Sequence, residues 1–94
     1  MYYKEVVEII ELILSNQFVP GEKLLNYLIS TFDCEKIYNS EDMLLTDVFF
    51  TLKHYASGEE EVDRTEWIYF LECLNQKRVY KMEEKLDYLM GDLR

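Results

Sequence analysis

The chain has 94 residues, of which 19 are acidic and 10 are basic, so its formal net charge is −9 at pH 7. This length suits one domain with one hydrophobic core and leaves little room for an enclosed catalytic cavity. The negative charge argues against direct binding to nucleic acid or to anionic membranes, both of which attract lysine and arginine.

We predict a first helix over residues 3–16 and a second over residues 20–32. In the first, apolar residues recur at three- and four-residue steps: Val6, Ile9, Ile10, Ile13 and Leu14. The second opens with Pro20, whose missing N–H costs nothing in a first helical turn. Its predicted apolar stripe consists of Leu25, Leu28, Ile29 and Phe32, with Leu24 and Tyr27 beside it.

A third helix is predicted over residues 41–56, after a polar connection at residues 33–39. Ser40 is a good N-cap, and Glu41 and Asp42 complement the positive end of the helix. One broad apolar face follows, made of Leu44, Leu45, Val48, Phe49, Leu52 and Tyr55. Gly58 is the predicted stop signal.

A fourth helix is predicted to start near Arg64, where Asp63 and Glu66 resemble a capping box. It carries the apolar residues Trp67, Ile68, Phe70, Leu71 and Leu74. Residues 77–94 either continue this helix or form a fifth after a break near residues 75–77. Their apolar positions step by three and four, as in a short heptad pattern: Val79, Met82, Leu86, Leu89 and Leu93.

These elements predict an all-α fold, a single-domain antiparallel bundle of four to five helices over residues 1–94. The charged N-terminal segment does not resemble a secretory signal, and no stretch approaches the ~20 apolar residues of a membrane span. We therefore expect a cytoplasmic protein with no membrane contact. Cys34 and Cys73 have no CxxC spacing, so we expect reduced thiols rather than a disulfide or a metal site.

The sequence offers no constellation typical of an enzyme. His54 is its one histidine, and no group that would orient it as a base is identifiable. The acidic run at residues 59–63 lacks the alternating ligands and central glycine of a calcium loop. We therefore expect no enzymatic activity, no metal and no cofactor. We expect a protein that acts by binding another protein.

The acids are concentrated around the predicted third helix. Residues 33–66 hold ten acidic and three basic side chains, a net charge of −7. This segment is either an ordinary solvated surface or a negative patch that docks on a basic protein. Nearby aromatic residues are of the types that anchor interfaces: Tyr38, Tyr55 and Trp67.

Three segments carry a resemblance to a known family: LILSNQF at 12–18, GEKLLNYL at 21–28 and LLTDVFFTLKHY at 44–55, followed by the acidic loop into Arg64. Over about residues 8–75 the chain resembles the colicin D-type immunity proteins, including related immunity proteins of contact-dependent growth inhibition systems. The resemblance implies an immunity protein that neutralises a cognate toxin nuclease domain, a basic transfer-RNA nuclease. It further allows a host translation factor in the complex.

In such a complex, acidic side chains take the place of the RNA phosphates in the nuclease cleft. Carried onto this sequence, the implied partner-binding acids are Asp42, Asp47, Glu59, Glu60, Glu61 and Asp63, with Tyr55 as a neighbouring aromatic contact. We expect a monomer or weak dimer that binds no nucleic acid itself. The alternative is an antitoxin or regulatory adaptor that homodimerises through residues 77–94, and a small enzyme or metal carrier is a third interpretation.

Overall fold

The computed structural model describes residues 2–81 together with residues 83 and 85. Over these residues the chain forms five α-helices and no strand. They are α1 (Tyr3–Leu14), α2 (Glu22–Thr31), α3 (Cys34–Asn39), α4 (Met43–Ser57) and α5 (Arg64–Leu74). The predicted all-α bundle is thereby confirmed.

Helix α4 is the centre of the bundle. It packs against each of the other four helices, while α1 packs against α5. Seven of its residues are buried: Leu44, Leu45, Val48, Phe49, Thr51, Leu52 and Ala56. The largest buried side chains come from α5 and include Trp67, Tyr69 and Phe70. One continuous core therefore unites all five helices.

Contacts between the ends of helices show that α4 runs antiparallel to α2. At one end of the bundle, the Gly21 amide donates to the Ala56 carbonyl at 2.9 Å, and the Arg64 guanidinium donates to the Leu14 carbonyl at 3.1 Å. At the other end, the Tyr3 hydroxyl donates to the Asp42 carboxylate at 2.7 Å. The loops before and after α4 therefore lie at opposite ends of the molecule.

The segment predicted as a polar connection, residues 33–39, instead forms the short helix α3. The Asp33 carboxylate accepts the Lys36 amide at 3.1 Å and caps the helix, while Ile37 is fully buried. Ser40 closes α3 by donating to the Ile37 carbonyl at 2.6 Å. Asp42, rather than Ser40, is the N-cap of the central helix.

Two details of the other helix starts also differ from the predictions. Helix α2 begins at Glu22 with Gly21 as its N-cap, and Pro20 precedes it. Asp63 occupies the N-cap position of α5, but its side chain makes no capping hydrogen bond. The predicted stop at Gly58 is confirmed, since this residue has the left-handed φ of 79° that favours glycine.

The apolar stripe of α2 is displaced from its predicted position. Leu24 is buried beside Leu28, whereas Ile29 remains 68% exposed. Spacing alone did not separate these positions, because both leucines and the isoleucine fit a helical period. Of the predicted heptad in the tail, Val79 is 71% exposed. The positions Met82, Leu86, Leu89 and Leu93 lie outside the described residues.

Candidate partner-binding surface

Asp47, in the middle of α4, is neutralised within the protein. Its carboxylate accepts the Tyr80 hydroxyl at 2.7 Å and contacts the Lys85 ammonium at 2.9 Å. The same ammonium lies 3.2 Å from the Glu66 carboxylate. Burial disfavours the charged form of Lys85, but these two acids outweigh it and raise its pKa above the ordinary value. The Asp47 carboxylate therefore contributes little to an open negative surface.

Asp42 is likewise occupied by contacts that hold the fold together. One of its oxygens caps α4 by accepting the Leu45 amide at 3.0 Å, and the other accepts the Tyr3 hydroxyl at 2.7 Å. Burial, together with this hydrogen bond and the charge of Asp42, raises the pKa of Tyr3 to about 12. The side chain thus fastens the start of α4 to the start of α1.

Tyr55 belongs more to the core than to the surface. Its ring meets Trp67 edge to face, with ring centroids 5.4 Å apart, and the residue is half-buried. Burial raises the pKa of its hydroxyl. Its contact with the buried tryptophan gives it a packing role at the junction of α4 and α5.

The remaining four predicted acids form the acidic loop, defined here as residues 59–63. Glu59, Glu60, Glu61 and Asp63 are all exposed. The Glu59 carboxylate lies 2.6 Å from Nδ1 of His54, on the last turn of α4. Within the described part of the chain, the other three carboxylates make no hydrogen bond or ion pair. They are therefore available to a partner.

The seven predicted site residues do not form one patch. Asp42 lies before α4 and the acidic loop lies after it, so the fifteen residues of this helix separate them by roughly 22 Å. Asp47 lies between them but is turned into the contact with Lys85. The predicted acids before and after α4 thus lie at opposite ends of the bundle.

The sequence-based prediction missed an apolar groove on α4. A cavity of about 610 Å³ is lined by Tyr38, Glu41, Met43, Thr46, Asp47, Phe50 and Tyr80. Met43 is 68% exposed and Phe50 is 52% exposed. The signal in the sequence was Phe50, a large apolar residue that the helical period places on the side of α4 opposite to Leu45 and Leu52.

The groove continues toward the acidic loop along the outer face of α4. The rings of Phe50 and His54 are 4.3 Å apart, and His54 in turn contacts Glu59. A smaller depression links the two regions and is lined by Leu25, Phe50, Lys53, His54, Ser57 and Glu59. We refer to Met43, Phe50 and His54, with the side walls Tyr38 and Tyr80, as the outer face.

Neither a metal site nor a membrane span is found among the described residues. No group of three or more His, Cys, Asp or Glu side chains there is placed to hold a metal ion. None of the helices in that part of the chain has the length and apolar character needed to cross a bilayer.

Comparison of the chain with protein-family models, with curated proteins and with solved structures finds no match.

Proposed function

We propose that this protein is a cytoplasmic immunity protein that binds one-to-one to the basic nuclease domain of a bacterial toxin and covers its active site. The observation that carries the proposal is the acidic loop, in which Glu60, Glu61 and Asp63 are exposed and, within the described part of the chain, unpaired. A cleft that holds RNA must be lined with lysine and arginine, so a competing protein must present carboxylates.

The loop is anchored at both ends. At its start, the amides of Gly58 and Glu59 donate to the Tyr55 and His54 carbonyls, each at 3.1 Å. At its end, Arg64 is fastened to the Leu14 carbonyl of α1. A loop held in this way loses less conformational freedom on binding, which favours affinity.

The net charge of −9 supports the same proposal. Opposite charge on two proteins accelerates their encounter and suppresses contact with acidic competitors. A toxin must be neutralised before it reaches its RNA substrate, so rapid association suits an inhibitor of this class. The resemblance to the colicin D-type immunity proteins indicates a transfer-RNA nuclease as the target.

The predicted acids differ in how far contacts within the bundle already engage them. Asp42 and Asp47 were partner-binding candidates, but both are engaged in contacts within the bundle. We therefore place the inhibitory contact on the acidic loop. Changes at Asp42 or Asp47 should act mainly on the stability of the fold.

The test is the triple charge reversal Glu59→Lys, Glu60→Lys and Glu61→Lys, with the nuclease domain of the cognate toxin as the ligand. Reversing three interfacial charges should weaken binding by roughly 100-fold, at about 1 kcal/mol per charge. Titration calorimetry at two salt concentrations should also show a weaker salt dependence.

The matched control makes the same change in net charge on α1: Glu5→Lys, Glu8→Lys and Glu11→Lys. Glu8 and Glu11 are exposed there and line a depression with Leu74 and Asn75, at the end of α5 away from the acidic loop. Both triple variants alter long-range attraction equally, so a difference between them reports direct contact. Equal affinities for the two variants, or retained protection of growing cells by the loop variant, would refute the proposed site. Failure of the unmodified protein to protect cells from the toxin would refute the function.

A further inference from the structure

The outer face of α4 presents large apolar side chains that the fold itself does not bury. Met43 and Phe50 are more than half exposed, and Tyr38 on α3 is 41% exposed. Burying a side chain of this size is worth roughly 1.5–3 kcal/mol, so leaving several together in water is costly. Clustered exposure of this kind is typical of a surface that another molecule covers.

Acidic side chains stand at both ends of this apolar surface. Glu41 lines the groove at the start of α4, and Glu59 is reached through Phe50 and His54 at its end. Along the helix these ends are roughly 22 Å apart, the length of a helix of about fifteen residues. Between them, Asp47 is already paired with Lys85 and presents no free charge.

From this arrangement we infer that the outer face binds a basic amphipathic helix of the partner protein. Its apolar residues, spaced at three and four positions, fill the groove beside Met43 and Phe50. Lysine or arginine near its two ends meets Glu41 and the acidic loop. The volume of about 610 Å³ is within the range of cavities that bind small molecules, so it holds several apolar side chains.

This inference rests on the proposed function for the identity of the partner, but its chemistry is tested independently. The probe is a synthetic fifteen-residue helix of leucine and lysine with all leucines on one face. A scrambled peptide of identical composition is the control. Fluorescence anisotropy with the full-length protein should show binding of the amphipathic peptide at least tenfold tighter than that of the scrambled one.

The decisive variants are Met43→Glu and Phe50→Glu. Each adds negative charge, so attraction by charge alone would tighten binding to a lysine-rich peptide. Insertion of apolar side chains into the groove predicts the opposite, a loss of at least tenfold. The control Val19→Glu adds the same charge at a residue that is 61% exposed and does not line the groove, and it should not weaken binding.

The same variants separate this inference from the proposed function. If the loop reversal weakens toxin binding while Phe50→Glu leaves both toxin and peptide binding unchanged, the function stands and the groove contact is refuted. Tighter peptide binding by Phe50→Glu would also refute it. Circular dichroism and urea unfolding of each variant identify any loss of affinity that comes from unfolding.

Two other occupants of the groove have distinct signatures. If sedimentation shows a dimer that Phe50→Glu dissociates, the outer face is an interface between two copies and the inference falls. If Leu89→Ser with Leu93→Ser raises peptide affinity, the end of this same chain competes for the groove and the inference again falls. A monomer whose affinity is unchanged by the leucine substitutions supports a separate partner.

Discussion

The contact of Lys85 with two carboxylates provides the sharpest test of how the chain beyond α5 is held. Its side chain is almost fully buried, lies between Asp47 and Glu66, and places its ammonium 4.8 Å from the centre of the Phe70 ring. We predict that Lys85→Met destabilises the protein strongly, although methionine preserves most of the apolar volume. The reason is that the substitution removes the positive charge that Asp47 and Glu66 share.

The expected magnitude follows from the geometry of the triad. Both acid oxygens touch the same ammonium, at 2.9 Å and 3.2 Å, so they lie within about 6 Å of each other. Two like charges at that distance repel by roughly 3 kcal/mol at an effective dielectric constant near 20. Breaking a fully buried pair costs about 3–5 kcal/mol, and these carboxylates keep some exposure. We therefore expect a loss of about 2–3 kcal/mol.

Urea unfolding monitored by the fluorescence of Trp67 measures this loss. The control Lys81→Met removes a positive charge from an exposed neighbour and should cost less than about 0.5 kcal/mol. In a protein that already carries Asp47→Asn and Glu66→Gln, Lys85→Met should lose most of its effect, because no repulsion is left to release. A cost below about 0.5 kcal/mol for Lys85→Met alone would show that the triad does not stabilise the fold.

Two further predictions concern Tyr3, at the start of α1, and Ile37, within α3. The pKa of Tyr3 is raised to about 12 in the folded protein from an ordinary value of 10.0, so its stabilising effect is complete below pH 10 and is lost as pH rises toward 12. Tyr3→Phe should cost about 1 kcal/mol at neutral pH and should reduce the decrease in the free energy of unfolding between pH 10 and pH 12. Urea unfolding at several pH values measures this decrease. The same decrease in Tyr3→Phe and in the unchanged protein would refute the reasoning. Ile37→Ala should cost about 2–4 kcal/mol, because this α3 residue is fully buried in the core. A loss near zero in thermal unfolding would mean that α3 is not part of the cooperative core.

The candidate site was only partly predictable from the sequence. The acidic loop holds four acids and the apolar residue Val62, and such a run of charge is exposed in nearly any fold. Asp47 is also a carboxylate, but the fold places Lys85, which lies 38 residues further along the chain, in contact with it. A pairing across that separation leaves no local pattern, so the charge count overestimated the open negative surface.

The outer face shows the same limit of sequence-based prediction for apolar residues. Phe49 and Phe50 are chemically identical neighbours, yet one is 3% exposed and the other is 52% exposed. Helical periodicity placed Phe49 in the predicted apolar face and left Phe50 outside it, but only the packing of the helices shows that Phe50 stays exposed beside a groove.

The sequence by itself determined the helical class, the core-facing residues of α1 and α4 and the stop at Gly58, because periodicity and left-handed turns are local properties. Tertiary structure decided the existence of α3, which has too few residues to be stable without burial of Ile37. It also decided which acids remain open to a partner, since electrostatic pairing depends on distance in space and not on separation along the chain.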